Sequence, residues 1–139
     1  MATFSKFNSF VEAMAEKVHN LGSDTLKVML TNTAPSAANT VKTDITEIAA
    51  GNGYTAGGAA VTVTASAQAS GTYKLVGNDV TWTASGGSIG PFRYVVLYND
   101  TATNDELIGY YDYTTNLTVT SGNSFTVDFD QTNGILTLA

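Results

Sequence analysis

Apolar and polar residues alternate with a period of two from Ala59 to the C-terminus. Each apolar set marks one face of a β-strand, because successive side chains of a strand point to opposite sides of the sheet. Threonines fill many of the intervening positions, as on a solvent-facing strand side. The chain is therefore predicted to be mainly β. The apolar sets are Val61 and Val63; Val80, Trp82 and Ala84; Phe125, Val127 and Phe129; and Leu136 and Leu138.

Turn-forming residues separate these runs at intervals of eight to fifteen residues or so. Eight or nine short strands with such spacing favour a two-layer antiparallel β-sandwich, such as a jelly roll, over a parallel α/β sheet. The turn signals are Gly77-Asn78-Asp79, Ser85-Gly86-Gly87, Asn99-Asp100, Ser121-Gly122-Asn123 and Asn133-Gly134.

The run from Phe92 to Tyr98 is apolar at nearly every position, which is typical of a central strand covered on both sides. A strict period of two assigns its residues to two faces. One face receives Phe92, Tyr94, Val96 and Tyr98, and the other receives Val95 and Leu97.

The N-terminal segment has a different period. Apolar residues recur there at three- and four-residue steps, which predicts one amphipathic helix over residues 4–21 that docks on a sheet or on a neighbouring subunit. Thr3 or the capping-box pattern Ser9–Glu12 can start it, and Gly22 can end it. The apolar residues are Phe4, Phe7, Phe10, Val11, Met14, Val18 and Leu21.

Residues 25–58 combine one strand with two loops. Thr25–Thr31 is predicted to be a strand and residues 32–39 a loop. The capping-box pattern Asp44–Glu47 predicts a one-turn helix that ends at Gly51. Residues 51–58 supply successive turns and lack the lysine of a phosphate-binding loop.

Length and charge limit the classes of function. The chain has 139 residues, enough for a single domain over residues 1–139. Without cysteine it has neither disulfides nor cysteine-based metal sites, and no cofactor is expected. A net charge of −6 disfavours nucleic acid and anionic membranes as partners. The N-terminal residues do not resemble a signal sequence, so synthesis in the cytoplasm is expected.

Catalytic patterns are weak throughout, so the protein is not expected to be an enzyme. His19, the one histidine, is interpreted as a structural residue in the last turn of the predicted helix. No G-x-S-x-G pattern accompanies it. Asp112, Asp128 and Asp130 are candidates for acid–base hydrolysis of a sugar. Alternation with Phe129 instead favours a solvent-facing role for the last two, and a hairpin turn explains residues 128–134 better than a calcium loop.

Polar and aromatic residues of the predicted central strands are the remaining candidates. Arg93 is expected to pair with Asp112 on a neighbouring strand, with an intersubunit contact as the alternative. Consecutive Tyr110 and Tyr111 point to opposite sides of their strand, so one leaves the core unless both faces are covered. Cover by a neighbouring subunit stays open.

Two stretches, residues 43–54 and 86–100, resemble small virion proteins encoded among the head and tail genes of tailed bacteriophages. The similarity continues through Leu107–Tyr113 and covers most of the chain. Proteins of this kind that form sandwiches are often capsid cement or decoration proteins. The resemblance carries no catalytic residue and does not decide between head and tail.

The resemblance implies a cement protein on the capsid surface of the virion. Its expected partners are the major capsid protein and further copies of itself, as a dimer or trimer. The alternatives are a tail or baseplate component, or a carbohydrate-binding adhesin that uses residues 110–113 as a stacking platform. The N-terminal segment or the loop of residues 51–58 is expected to make the contact, and deletion of the loop is expected to leave the domain folded. The interface candidates are Phe4, Phe7, Phe10, Tyr54, Arg93, Tyr110 and Tyr111.

Overall fold

The computed structural model describes residues 2–139, of which 47% lie in strands and 7% in helical turns. The mainly β prediction is confirmed. One α-helix, α1, spans Ser9–Ala15, and a one-turn 3-10 helix spans Lys42–Asp44. The strands are β1 (Thr3–Lys6), β2 (Leu26–Thr31), β3 (Ala59–Val61), β4 (Val63–Ala69), β5 (Thr72–Gly77), β6 (Val80–Thr83), β7 (Ile89–Asn99), β8 (Leu107–Val119), β9 (Ser124–Val127) and β10 (Leu136–Leu138).

The strands form three antiparallel sheets. A five-stranded sheet has the order β1-β8-β7-β2-β3, a three-stranded sheet the order β10-β5-β4, and β6 pairs with β9. Side chains from the large sheet and from both small sheets enter one hydrophobic core. This is the packing expected of a sandwich. The structure does not confirm a jelly-roll connectivity.

Strand β7 lies between β8 and β2 and is buried on both faces, as predicted for a central strand. The predicted assignment of faces is wrong at one residue. The register shifts between Phe92 and Tyr94, and such a bulge reverses the side on which the preceding residues lie. Phe92 therefore joins Val95 and Leu97 in the main core.

The second face of the large sheet is covered by the chain itself. A small cluster there contains Met29, Val96 and Tyr98, with Ile45 packed against it. The Tyr98 hydroxyl donates a hydrogen bond to the carbonyl of Gly57 at 2.6 Å. Residues 42–57 thus cover this face of the sheet around Tyr98.

The predicted helix over residues 4–21 is wrong at both ends. Residues 3–6 form β1, which pairs with β8, and Phe4 and Phe7 project to opposite faces of the sheet. The helix ends at Ala15, and Lys17 adopts a left-handed φ of 67°. Thr3 and Gly22 therefore cap nothing, and no side chain caps the start of α1. Pairing with β8 decides the conformation of residues 3–6, and the local period does not carry that information.

Two further local predictions need correction. The helical turn ends at Asp44 and does not begin there. The Asp44 carboxylate accepts hydrogen bonds from the N–H groups of Thr40 and Val41, which lowers its pKa. The hairpin between β4 and β5 was not predicted. Its turn residues Ser70 and Gly71 have φ values of 50° and 83°.

Candidate binding cleft

An open cleft lies between β1, at the edge of the large sheet, and β10, at the edge of the three-stranded sheet. Its volume is about 560 Å³. Phe4 and Phe10 contribute apolar side chains from the N-terminal segment, and residues 133–138 line the opposite side. Two sheet edges therefore face a common apolar space.

The backbone of β1 presents hydrogen-bonding groups along this cleft. The Phe7 N–H donates to the carbonyl of Ile108 at 3.1 Å, and Phe7 continues the register of β1 with β8. In an antiparallel ladder, every second residue directs its N–H and C=O toward the partner strand. Ser5 and Thr3 therefore bond to β8, whereas the backbone groups of Phe4 and Lys6 point toward the open edge.

The two ends of the cleft carry opposite charges. Lys6 is the charged residue that lines the larger part. A smaller adjoining pocket of about 170 Å³ shares Phe4, and it is also lined by Asp128 and Asp130. Hydrogen bonds from Asn133 and Thr132 lower the pKa of Asp130 and keep it ionised. The electrostatic polarity thus runs along β1, with the basic end at Lys6.

A second open edge belongs to β4. Residues 64–69 are all exposed, so both faces of this strand lack cover from the described part of the chain. The strand consists of small or polar uncharged residues. A pocket of about 290 Å³ beside it is lined by Ala67, Gln68 and Ala69 of β4 and by Lys74 of β5. This edge is distinct in chemistry from the cleft.

The interface candidates other than Arg93 lie in three places. Phe4, Phe10 and Tyr111 line the cleft or its adjoining pocket. Phe7 and Tyr110 lie on the other face of the large sheet, with ring centroids 5.2 Å apart. Opposite projection of Tyr110 and Tyr111 is confirmed. Burial leaves Phe7, Phe10 and Tyr111 with little surface to offer a partner, and Phe4 is half-buried.

Tyr54, the third place, is a core residue, so its assignment as a surface contact is wrong. It is 3% exposed, and its ring lies 5.8 Å from that of Trp82. Its hydroxyl accepts a hydrogen bond from the Leu30 N–H at 3.0 Å and donates one to Glu47 Oε1 at 2.6 Å. Burial and the Glu47 carboxylate raise the pKa of Tyr54. The loop of residues 51–58 is therefore fixed to the core and is not a free binding loop.

Arg93 pairs with Asp112, as predicted. Its Nε and Nη2 donate to the two carboxylate oxygens at 2.7 and 2.9 Å, across β7 and β8. The guanidinium holds the pKa of Asp112 below its usual value. The geometry is bidentate, so the pair holds both side chains in one orientation at an accessible surface.

His19 does not lie in a helix, so its predicted role at a helix end is wrong. It is 5% exposed, and its Nδ1 accepts a hydrogen bond from Asn99 Nδ2 at 3.0 Å. Asn99 Nδ2 also donates to Asp24 at 2.7 Å, so an amide stands between the imidazole and the carboxylate. Burial lowers the pKa of His19 and outweighs the opposite effects of Glu106 and Asp24.

The three aspartates proposed for acid–base chemistry do not form one site. Asp112 is engaged by Arg93, whereas Asp128 and Asp130 lie beside the cleft. Asp130 Oδ1 accepts hydrogen bonds from the N–H groups of Thr132 and Asn133, so residues 130–133 form a turn. The predicted hairpin is wrong, because β9 pairs with β6 and β10 with β5. Across residues 2–139, no three His, Asp or Glu side chains are grouped so as to hold a metal ion.

Lys6 and residues 133–138 were not predicted as parts of a site. A signal for Lys6 was present, because it is one of only six basic residues in an acidic chain. Within residues 2–139, no helix has the length and apolar character required to cross a membrane. Searches of protein-family models, curated proteins and solved structures gave no match to this chain.

Proposed function

We propose that the protein is a bacteriophage capsid cement protein that binds the assembled head shell and stabilises it. The observation that supports the proposal best is the open cleft between β1 and β10. It has an apolar floor, a free strand edge and paired opposite charges, which are features of a protein-binding surface. The resemblance of residues 43–54 and 86–100 to virion proteins supports the choice of partner.

The proposed mechanism is a shift of equilibrium by binding. A protein that binds across a junction of shell subunits, and not to separated subunits, stabilises the assembled shell by mass action. Contacts repeated over many copies add their effects across the particle. The bound chain needs no chemical step, only a rigid domain and a complementary surface.

The structure disfavours the adhesin alternative. A sugar-stacking platform on β8 requires exposed rings, but Tyr111 is 8% exposed and packs against Phe4 and Phe129. Tyr110 packs between Phe7 and Tyr94 on the opposite face. The tail or baseplate alternative has no such objection, so the experiment must separate head from tail.

The test uses particles that lack the chain, to which purified protein is returned. Such particles should assemble but lose their contents at a lower temperature than complete ones, and the added protein should restore resistance. The variant Lys6→Glu should restore less, because it makes both ends of the cleft acidic. Lys17→Glu, an equal charge change at an exposed residue outside the cleft, should act as the wild type does. Equal heat resistance with and without the protein, or its retention on purified tails, would refute the cement function.

A further inference from the structure

The cleft is shaped for one kind of occupant, an extended peptide segment. The backbone N–H and C=O groups of Phe4 and Lys6 point outward along β1, and only another backbone in extended form satisfies such an alternating row. The four residues of β1 span about 14 Å at roughly 3.4 Å per residue, which matches about four residues of an added strand.

The walls of the cleft require apolar side chains on the inner side of that segment. Phe4 and Leu138 are half-buried and Leu136 is buried, and together they give the cleft an apolar lining. Side chains of an added strand alternate between the cleft and solvent. The residue opposite Phe4 therefore enters the cleft and needs an apolar side chain.

Charge sets the direction of the segment. Lys6 at the C-terminal end of β1 attracts a carboxylate, whereas Asp128 and Asp130 beside the N-terminal end attract a base. All pairings in the fold are antiparallel, and antiparallel pairs are slightly more stable per residue than parallel ones. An antiparallel segment starts beside Lys6, so its acidic residue comes first and its basic residue last.

We infer that the cleft between β1 and β10 binds an extended segment of a shell subunit as an added antiparallel strand, with an acidic residue opposite Lys6, an apolar residue opposite Phe4 and a basic residue beyond it. The inference rests on the proposed function, because it takes the segment from the shell. The edge of β4 is less suited to this occupant, since residues 64–69 contribute neither a charge nor a large apolar side chain.

The first experiment measures amide hydrogen exchange of the protein with two synthetic peptides of equal composition. One is acetyl-Glu-Thr-Val-Thr-Lys-amide, whose Glu, Val and Lys lie on the cleft face when Glu is opposite Lys6, and the other has Glu and Lys exchanged. The first peptide should slow exchange of the Phe4 and Lys6 amides, while the Ser5 amide, already bonded to β8, should change little. Its affinity should exceed that of the exchanged peptide by roughly two- to fivefold, the usual effect of an exposed ion pair. In Lys6→Glu this preference should disappear.

A peptide with proline at the central position, which lacks a donor there, is the negative control. Equal protection by all three peptides, or protection at Ser5 instead of its neighbours, would overturn the strand geometry. Protection of Phe4 and Lys6 that rises with protein concentration, without peptide, would also overturn it, because the occupant would then be a second copy.

The second experiment repeats the measurement on the protein bound to shells. Bound protein is exposed to deuterium, released and analysed for residues 2–7. Slowed exchange there supports the inference. If the protein binds shells without any slowing, the inference fails and the cement function stands. If the protein ignores shells but still prefers the first peptide, the cement function fails and the strand-binding cleft stands.

Discussion

Removal of one oxygen atom from Tyr54 tests whether the loop of residues 51–58 belongs to the core. In Tyr54→Phe the ring keeps its contact with Trp82, and two hydrogen bonds are lost. One is accepted from the buried Leu30 N–H at 3.0 Å, and the other is donated to Glu47 at 2.6 Å. Glu47 keeps the N–H of Gly57 as a donor, also at 2.6 Å.

The expected loss of stability follows from these partners. An unsatisfied buried N–H costs about 1–3 kcal/mol, and a hydrogen bond to a charged group contributes about 1.5–3 kcal/mol. Since the Glu47 carboxylate keeps one donor and gains access to water, we expect a combined loss of about 2–5 kcal/mol. For a chain of this length, each kcal/mol lowers the melting temperature by about 3–4 °C. The variant should therefore melt roughly 10 °C below the wild type.

Urea unfolding and thermal unfolding followed by circular dichroism measure the effect. Tyr73→Phe is the matched control, because the Tyr73 hydroxyl bonds to Ser66 at 2.8 Å on an exposed ribbon. It should change stability by less than about 0.5 kcal/mol. A double-mutant cycle with Glu47→Gln isolates the pair. A Tyr54→Phe protein as stable as the control would refute the assignment of Tyr54 to the core.

Three further results are expected. Phe10→Ala should lower stability by about 3–5 kcal/mol, because Phe10 is 2% exposed, whereas Val11→Ala at the exposed neighbouring position should have little effect in the same urea titration. Stability should fall as pH drops below the unfolded pKa of His19, near 6.5, because the folded state resists protonation of this histidine. The slope should be at most about 1.4 kcal/mol per pH unit, and His19→Gln should flatten this part of the stability curve. If copies associate through the uncharged β4 edge, Ala67→Lys should shift sedimentation toward the monomer, and unchanged sedimentation of an oligomer would exclude that edge.

The C-terminal half of the fold was predictable because its strands are specified locally. Alternation at Val80, Trp82 and Ala84 matches their burial, and the turn signals fall between strands where they were expected. The pairing of Arg93 with Asp112 was also predictable, since opposite charges on neighbouring strands attract each other. The alternation and the turn signals each depend on a few adjacent residues.

The errors share a non-local cause. Phe4 and Phe7 are three residues apart, which fits a helix, but their pairing with β8 places them on opposite faces of a sheet. Tyr54 lies among turn-forming glycines, and only the distant Leu30 and Trp82 reveal that it is buried. The bulge before Tyr94 likewise depends on the partner strand.

The cleft was not predictable because it joins the two ends of the chain. Residues 2–6 form one wall and residues 133–138 the other, and neither segment has a binding pattern of its own. Composition indicated only that a basic residue on an acidic chain is notable. The site exists because β1 and β10 end their respective sheets side by side.

The core and the cleft consist largely of different residues, so variants can separate an effect on binding from an effect on stability. Tyr54 and His19 lie outside the cleft lining, so their variants should lower stability while leaving affinity for shells unchanged at temperatures where the protein is folded. Lys6 is exposed at the edge of the sheet, so Lys6→Glu should lower the affinity for shells and leave stability unchanged. Edge strands are commonly protected from unwanted pairing by short length and a lysine, and β1 has both. Lys6 thus deters nonspecific pairing and also selects an acidic partner. Lys6→Glu should therefore lose affinity for shells without a lower melting temperature, and a variant that keeps its affinity would contradict this role of Lys6.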